Sequence, residues 1–477
     1  MTYYLHKENV LMENLTTITP KKLSFGKKLR FGIGDFGMSI IIACLQFYML
    51  FYYTDVVGID PAVAGSAVLV GKITWDMIND VLFGYLVDKT KTRWGRRRPY
   101  LMFGAIPLAL SFWLLLSLPS ATEMSDLGGF FAILGTFIVY DSFGTLVNTS
   151  YSAMTAELTT DYNERTSLAT TRMVFNVIGY ILGAGLTTIL AVKLQNIYSI
   201  TLLKAWSYTG LIFGAFAAIT IMIPGFSKDL KPVVDAEPTK MPPLSAMFST
   251  LKNKPFVKFV TVNAIMSTAF TLVTTMLPYF LKYQLVMDEG GQSLVMLLML
   301  VTLGLCLVPC KKLADHIGKA KTYTIGLMIA CAALMVAFYL PHSTSSIIFG
   351  VAIVAGIGFS SQWVCPHSMM PDVIEYDELE TGERREGIYY GMWGLLTKIT
   401  GALGSAMCGW GLKISNYNAD LSVQPESALF GIRILFTIMP IFFLLICMPL
   451  LFKYPINSKV HAELMEKLAA KRAGESK

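Results

Sequence analysis

The sequence predicts an all-α membrane protein with twelve transmembrane helices in two six-helix bundles, and three observations predict it. Across 477 residues the apolar fraction is 54%, while Asp, Glu, Lys and Arg together make up 15%, against roughly 25% in a soluble domain. The apolar residues fall in repeated runs of about 18 to 25, each long enough to cross a hydrocarbon core as a helix. A polar stretch divides those runs six from six. The runs are continuously apolar rather than alternating in a period of two, which argues against a β-barrel. Helices then remain the way to satisfy backbone groups in lipid.

Taken in order, spans are expected near 31–53, 61–87, 99–118, 128–155, 166–192, 203–224, 256–283, 292–313, 320–340, 346–370, 387–414 and 427–452. Residues 1–30 form a polar, partly basic tail with no apolar core, so a cleavable signal is not expected and the first helix can itself direct insertion. Residues 31–224 form the first bundle, 225–255 a linker rich in Lys, Pro, Asp and Thr, 256–452 the second bundle, and 453–477 a second tail.

Charge sets the expected orientation. Lys21, Lys22, Lys27, Lys28 and Arg30 precede the first helix, the loop from Asp88 to Arg98 is strongly basic, and Lys311, Lys312, Lys319 and Lys321 mark a third basic loop. The alternate loops, 54–60, 119–127 and 341–346, carry neither Lys nor Arg. By the positive-inside rule both termini face the cytoplasm. The net charge of +7 is thereby explained without a nucleic-acid partner.

An internal repeat is faint. Asp80-Val-Leu-Phe-Gly84-Tyr-Leu-Val-Asp88 runs into one basic loop, and Cys310-Lys311-Lys312-Leu313-Ala314-Asp315-His316-Ile317-Gly318-Lys319 sits at the corresponding point of the second half. Two halves around a cytoplasmic linker favour the major facilitator architecture. The seven cysteines, Cys44, Cys306, Cys310, Cys331, Cys365, Cys408 and Cys447, lie in or at the ends of spans with no C-x-x-C pair, and read as packing residues. Cys306 and Cys310 share a helix face, but no His or carboxylate accompanies them to make a metal site.

Ionisable groups inside a span are costly, so each pairs, snorkels or works. The second helix contains Lys72-Ile-Thr-Trp75-Asp76-Met-Ile-Asn79-Asp80, which places Asp76 and Asp80 on one face roughly 6 Å apart with Asn79 beside them. Two carboxylates that close need a cation or a proton between them. Ligation by oxygen alone suits a hard ion such as sodium, and suits a proton equally. The plainer alternative is that Lys72 neutralises Asp76 and Asp80 caps the helix end. Asp35, Asp141, Arg172 and Lys398 are the other charges well inside spans. Asp35 and Arg172 are equally compatible with an interhelical ion pair, and the sequence shows no partner for Asp141.

These residues resemble the glycoside, pentoside and hexuronide cation symporters from about Lys27 to Tyr454. Phe31-Gly-Ile-Gly-Asp35-Phe-Gly looks like the family's opening motif, and Tyr52-Tyr53-Thr54-Asp55-Val-Val-Gly58 like its first external turn. The resemblance implies cation ligands at Asp76, Asn79, Asp80 and Thr145, the coupling ion being sodium or a proton. It makes Asp88, Arg96 and Arg97 gating residues. Pro371-Asp372-Val-Ile-Glu375 through Arg384-Arg385-Glu386-Gly387 is similar to the signature between helices 10 and 11, which adds Asp372, Glu375, Arg384 and Glu386 to the gate. Lys398 falls on the helix 11 lysine near the cation site, Trp363 on a helix 10 tryptophan, and Arg172 on a helix 5 arginine that contacts sugar. Candidate solute contacts are therefore Asp35, Asn148, Tyr151, Arg172, Trp363, Trp393 and Lys398; for the three aromatics a packing role is equally open.

The sequence departs from the melibiose-carrying members of that family. Their two sugar-gripping aspartates are Ser39 and Asn148 here, a helix 1 lysine is Met38, and a stacking tryptophan is Ser152. Loss of charge-assisted bonds at those positions removes melibiose specificity, although Asn148 can still donate to and accept from a hydroxyl. The expected function is cation-coupled symport of a sugar, glycoside or hexuronide by a monomer in the cytoplasmic membrane. A non-sugar organic anion or lysolipid-like amphiphile is the alternative solute. With the pocket's negative charge reduced, Arg172 is expected to stay available for an anionic ligand rather than pair with Asp35. No H-E-x-x-H, G-x-S-x-G or histidine cluster supports an intramembrane enzyme, and a receptor would leave the carboxylate pair unexplained.

Overall fold

The computed structural model describes residues 23–159, 162–230, 244–383, 385–421 and 423–475. They form twelve helical rods followed by a terminal helix. The first six rods are α1 (Phe25–Val56), α2 (61–89), α3 (98–115), α4 (Asp126–Glu157), α5 (Tyr162–Tyr198) and α6 (Leu202–Phe226). The next six are α7 (Lys254–Gln284), α8 (Glu289–Ile317), α9 (Lys319–Phe338), α10 (Ile347–Thr381), α11 (Glu386–Ile414) and α12 (Glu426–Phe452). A last helix, α13 (Ser458–Glu475), follows. Among the described residues, nine of these helices are long and apolar enough to cross a membrane. The rods α2, α3 and α11 fall outside that set. The first and last carry Lys72, Asp76, Asp80 and Lys398 in their interiors, and Gly104 breaks α3 between Arg98–Phe103 and Ala105–Leu115.

The two halves are built alike. In the first, α1 packs on α5 and α6, and α4 on α2 and α3; in the second, α7 packs on α11 and α12, and α10 on α8. The halves meet where α2 packs on α11, α5 on α8 and α1 on α7.

The repeat that was faint in sequence is plain in the backbone. Both α1 and α7 end in a π turn, Tyr52–Val56 and Phe280–Gln284. Each is followed by a left-handed residue, Gly58 at φ +87° and Val286 at φ +50°. An aspartate N-cap then starts the next helix, Asp60 accepting from Ala62 N and Asp288 from Gly291 N. An N-cap carboxylate satisfies an amide that the helix cannot. Further along, Gly95 and Gly318 share positive φ in the matching basic loops, as do Ser199 and Asn416 after α5 and α11.

Several helices outrun the expected spans, because a helix need not stop where the apolar run does: α10 continues to Thr381 and α5 runs from Tyr162. Of the expected linker, residues 231–243 lie outside the described residues, and Leu244–Ser249 form a short helix. The second tail is helical, with Leu464 and Leu468 buried and His461 Nε2 3.0 Å from Glu375 Oε2 at the end of α10.

Candidate functional site

A cavity of about 350 Å³ opens between the halves, walled by α1, α2, α4, α7 and α11. Its α1 wall is mainly apolar, with Met38, Ile41, Ile42 and Leu45, while α2 and α4 supply Lys72, Asp76, Asp80, Asp141, Thr145 and Asn148, and α11 supplies Lys398. Asp141, Thr145 and Asn148 recur at helical spacing and so share one face of α4.

The charges are organised by a π turn spanning Lys72–Asp76. Among the described residues Lys72 forms no ion pair with Asp76, so the simple neutralisation that sequence spacing allows is not made. Lys398 takes that role from the other half, its Nζ lying 2.7 Å from Asp76 Oδ1 and 2.5 Å from Asp80 Oδ2. Asp76 is buried while Asp80 is open to the cavity. Asn79 is fully buried and donates its Nδ2 to Asp141 Oδ2; this is the partner the sequence did not show.

Of the expected cation ligands, the structure therefore brings Asp76, Asp80 and Thr145 to the cavity wall, with Asn79 immediately behind. Of the expected solute contacts, Asn148 and Lys398 line this cavity. Asp35, Tyr151 and Arg172 form a separate buried cluster. Arg172 Nε is 2.6 Å from Asp35 Oδ2 and its Nη1 2.7 Å from Thr155 Oγ1, and its guanidinium lies over the Tyr151 ring at 4.4 Å. Tyr151 is wholly buried and donates to the Phe31 carbonyl. The expectation that Arg172 stays free of Asp35 is thus corrected. At these depths an unpaired guanidinium is costly, and the carboxylate lies within reach. Trp363 and Trp393 line a second cavity of about 250 Å³ inside the second half, together with Asn263, Gln362 and His367. Ser39 accepts from Asn176 at 2.7 Å and Met38 faces the central cavity.

Five of the expected gating residues, Asp88, Arg96, Arg97, Asp372 and Glu375, form ion pairs within their own halves. Arg97 reaches Asp88 at 3.3 Å, and Arg96 and Arg97 each reach Glu157 at 2.9 Å. Burial pushes the Arg97 guanidinium below its usual range, and Glu157 and Asp88 draw it back. In the second half Lys319 holds Asp372 at 2.7 Å, and Glu375 meets His461. Glu386 opens α11, and Arg384 lies outside the described residues. Arg385, not singled out in the sequence, pairs with Asp377 at 2.6 Å. That bond holds the Arg385 guanidinium above its usual range.

What sequence reading missed lies at the opposite end of the rods. Asp55, its side chain 1% exposed, accepts from Lys282 Nζ at 2.8 Å, Tyr283 OH at 2.5 Å and Tyr417 OH at 2.8 Å, all in the second half. Thr54 and Tyr279 hydroxyls are 2.6 Å apart beside it. Trp410 Nε1 donates to Ser66 Oγ at 2.9 Å, and Lys413 pairs with Asp60. Here α11 and α2 touch backbone to backbone: a Cβ on Gly409 would lie 2.2 Å from the Pro61 carbonyl oxygen. The available signal was the repeat, because Thr54-Asp55 and Lys282-Tyr283 occupy the same positions of the two π turns.

Two similar six-helix halves around a central charged cavity, tied together at one end, define a major facilitator type of membrane transporter. The sequence model of the family described as MFS/sugar transport protein matches residues 30–458, and the chain belongs to that family, an integral membrane transporter rather than an enzyme. It is 27% identical to the isoprimeverose transporter of Lactiplantibacillus pentosus over 100% of this chain and 98% of that one. It is 25% identical to the glucuronide carrier protein homolog of Escherichia coli, covering 93% and 95%. To the sodium-dependent lysophosphatidylcholine symporter 1 of Mus musculus the identity is 25%, covering 95% and 90%. Among solved structures, a bacterial homolog of the human lysosomal transporter Spinster, described as inward-facing and unoccupied, superposes with a TM-score of 0.68 at 12% identity, over 93% of this chain and 99% of that one.

Proposed function

We propose that the chain carries a sugar, glycoside or hexuronide into the cell together with sodium or a proton, that all twelve rods span the cytoplasmic membrane, and that both termini face the cytoplasm. The observation that carries the reading is Lys398, whose ammonium bridges Asp76 and Asp80 across the boundary between the halves. An ammonium held between two carboxylates occupies the position a coupling cation would take, so ion and lysine compete for the same oxygens. With the Asp55 end outermost, the described arrangement is closed on the outside.

In this reading the cycle runs by differential binding. A cation arriving at Asp76 and Asp80 releases Lys398 and with it a tie between α2 and α11. Thr145 and Asn79 add neutral oxygens nearby. The freed Lys398 and the face of α4 bearing Asn148 are then presented to the solute. Asp88, Arg96, Arg97, Asp372, Glu375, Arg384 and Glu386 are the groups that re-pair when the cytoplasmic end closes. The chain functions as a monomer, because both halves of the cavity come from one chain.

The apolar α1 wall supports a second reading, in which the solute is a lysolipid-like amphiphile or other organic anion carried by the same mechanism. A thermal-shift screen of purified protein against glycosides, uronides and lysolipids, with and without sodium, separates the two. Stabilisation by a glycoside or uronide, enhanced by a coupling ion, supports the first; stabilisation by lysolipid alone overturns it.

A further inference from the structure

The C-terminal third of α10 carries a group of ligand-type side chains outside the central cavity. Asp372 and Glu375 are three residues apart and so share a face of that helix, and α13 packs against it. His461, Leu464 and Leu468 recur at helical spacing along α13, and the two leucines are buried. Docking of α13 through that face seats the imidazole on the two carboxylates. Its Nε2 lies 3.0 Å from Glu375 Oε2 and 3.6 Å from Asp372 Oδ1, and one donor atom from each of the three residues lies within 4.8 Å of the others. Ligands held at about 2.0–2.2 Å on a tetrahedral ion are roughly 3.3–3.6 Å apart, so small shifts of these side chains suffice to close around a metal.

Charge favours a cation there. Lys319 Nζ lies 2.7 Å from each Asp372 oxygen and 2.7 Å from the Ser368 carbonyl. It fixes the carboxylate while using one acceptor site on each oxygen, and an ionised carboxylate has about four. One ammonium against two carboxylates leaves a negative charge over. Tyr454 supplies the independent observation. It is 9% exposed, and its OH is buried without a hydrogen-bond partner. Burial, and then the charge of nearby Asp372, raise its phenol above the usual range. A metal held by three side chains keeps a fourth position for water, and an unpartnered phenol oxygen can accept from that water. The imidazole nitrogen selects a borderline metal such as zinc over calcium or magnesium, which favour oxygen ligands. The His461 side chain is 35% exposed, which gives an ion a way in from solvent.

We infer that Asp372, Glu375 and His461 bind a zinc ion that clamps α13 to α10. The consequence rests on the coupled-transporter reading: Asp372 and Glu375 are among the groups that re-pair as the cytoplasmic end closes, so zinc holds them back and slows the cycle.

Calorimetry of the tag-free, full-length carrier with zinc chloride in chelator-treated buffer reads the site without knowledge of the solute. A single zinc per chain is expected, bound at least about tenfold more weakly by His461→Gln and by Glu375→Gln. Cobalt in place of zinc should give the parent the visible absorption of a four-coordinate ion, and His461→Gln should lose it. No zinc binding, or equal affinity in parent and His461→Gln, overturns the site; so does a parent cobalt complex without that absorption, a result that needs no variant to fold. An ordinary ion pair from a protonated His461 gives those overturning results. Zinc should also slow cation-driven uptake by the parent and leave His461→Gln unaffected. A complete absence of cation-driven uptake fails the transport reading instead, and the binding data then decide the zinc site alone.

Discussion

Replacing Asp55 by Asn isolates the contribution of the outer end of the molecule to its conformational balance. Asp55 receives Lys282, Tyr283 and Tyr417 across the two halves, so the network exists only while that end is closed. A hydrogen bond to an ionised group contributes about 1.5–3 kcal/mol, roughly twice a neutral one. Tyr283 and Tyr417 donate to different oxygens of Asp55, and Asn keeps only one acceptor, so one tyrosine bond loses about half its strength and the other its acceptor, together about 2–4.5 kcal/mol. The Lys282 side chain is 40% exposed, and its share is discounted to about 0–1 kcal/mol for solvent screening. Opening lets water hydrate the carboxylate, which offsets part of the sum. A net loss of about 2 kcal/mol shifts the closed-to-open ratio at that end roughly thirtyfold. Spin labels at Thr122 and Val423, both exposed near the Asp55 end, report the change as a gain in the longer of two distances by pulsed electron resonance. A distance distribution in Asp55→Asn identical to that of the parent would refute the view that this cluster holds the end closed.

Three further outcomes follow from the same geometry. At fixed pH, solute affinity in the thermal-shift screen should rise with sodium, by linkage between the two sites; dependence on pH alone would assign coupling to protons. Arg172→Gln should lower stability by about 3 kcal/mol, because it strands the largely buried Asp35, and pairing it with Asp35→Asn should recover part of that loss in chemical denaturation. Equal melting of single and double variants contradicts the pairing. Gly409→Val puts a side chain against the Pro61 carbonyl and should cost about 1–3 kcal/mol of closure at the Asp55 end, seen as the same distance shift as Asp55→Asn; unchanged distances would show that α2 and α11 tolerate separation there.

Much of the architecture was legible because hydropathy reports directly on length in lipid. The two-half organisation followed from the polar break after α6, and Asp76, Asp80 and Lys398 were conspicuous as charges where none should be. Their mutual arrangement was not legible. The π turn at Lys72–Asp76 sets one extra residue into α2, and a one-residue difference in helical register leaves no clear mark in composition. The bridge from Lys398 to Asp76 joins residues more than three hundred positions apart, beyond the reach of any local spacing rule. Asp35 and Arg172 illustrate a different limit: each was identified as a buried charge, but the preference between partner and ligand was decided by distance across two helices. Asp55 went unread because it sits in a turn, where a carboxylate is ordinarily solvated; only the matching turn of α7 reveals that its partners are supplied by the other half. Asn79 looked like a cation ligand from its place in the run, and its bond to Asp141 depends on how closely α2 approaches α4.

The central claim is that Asp76 and Asp80 hold the coupling ion. Its most direct test is accumulation of the best-binding panel solute in proteoliposomes carrying equal amounts of parent, Asp76→Asn or Asp80→Asn protein, under an imposed sodium or proton gradient. The parent should concentrate solute above the external level and lose that excess when the gradient is dissipated, while either variant should remain folded and fail to concentrate it. Undiminished uphill accumulation in either variant would contradict the assignment of the ion to this carboxylate pair.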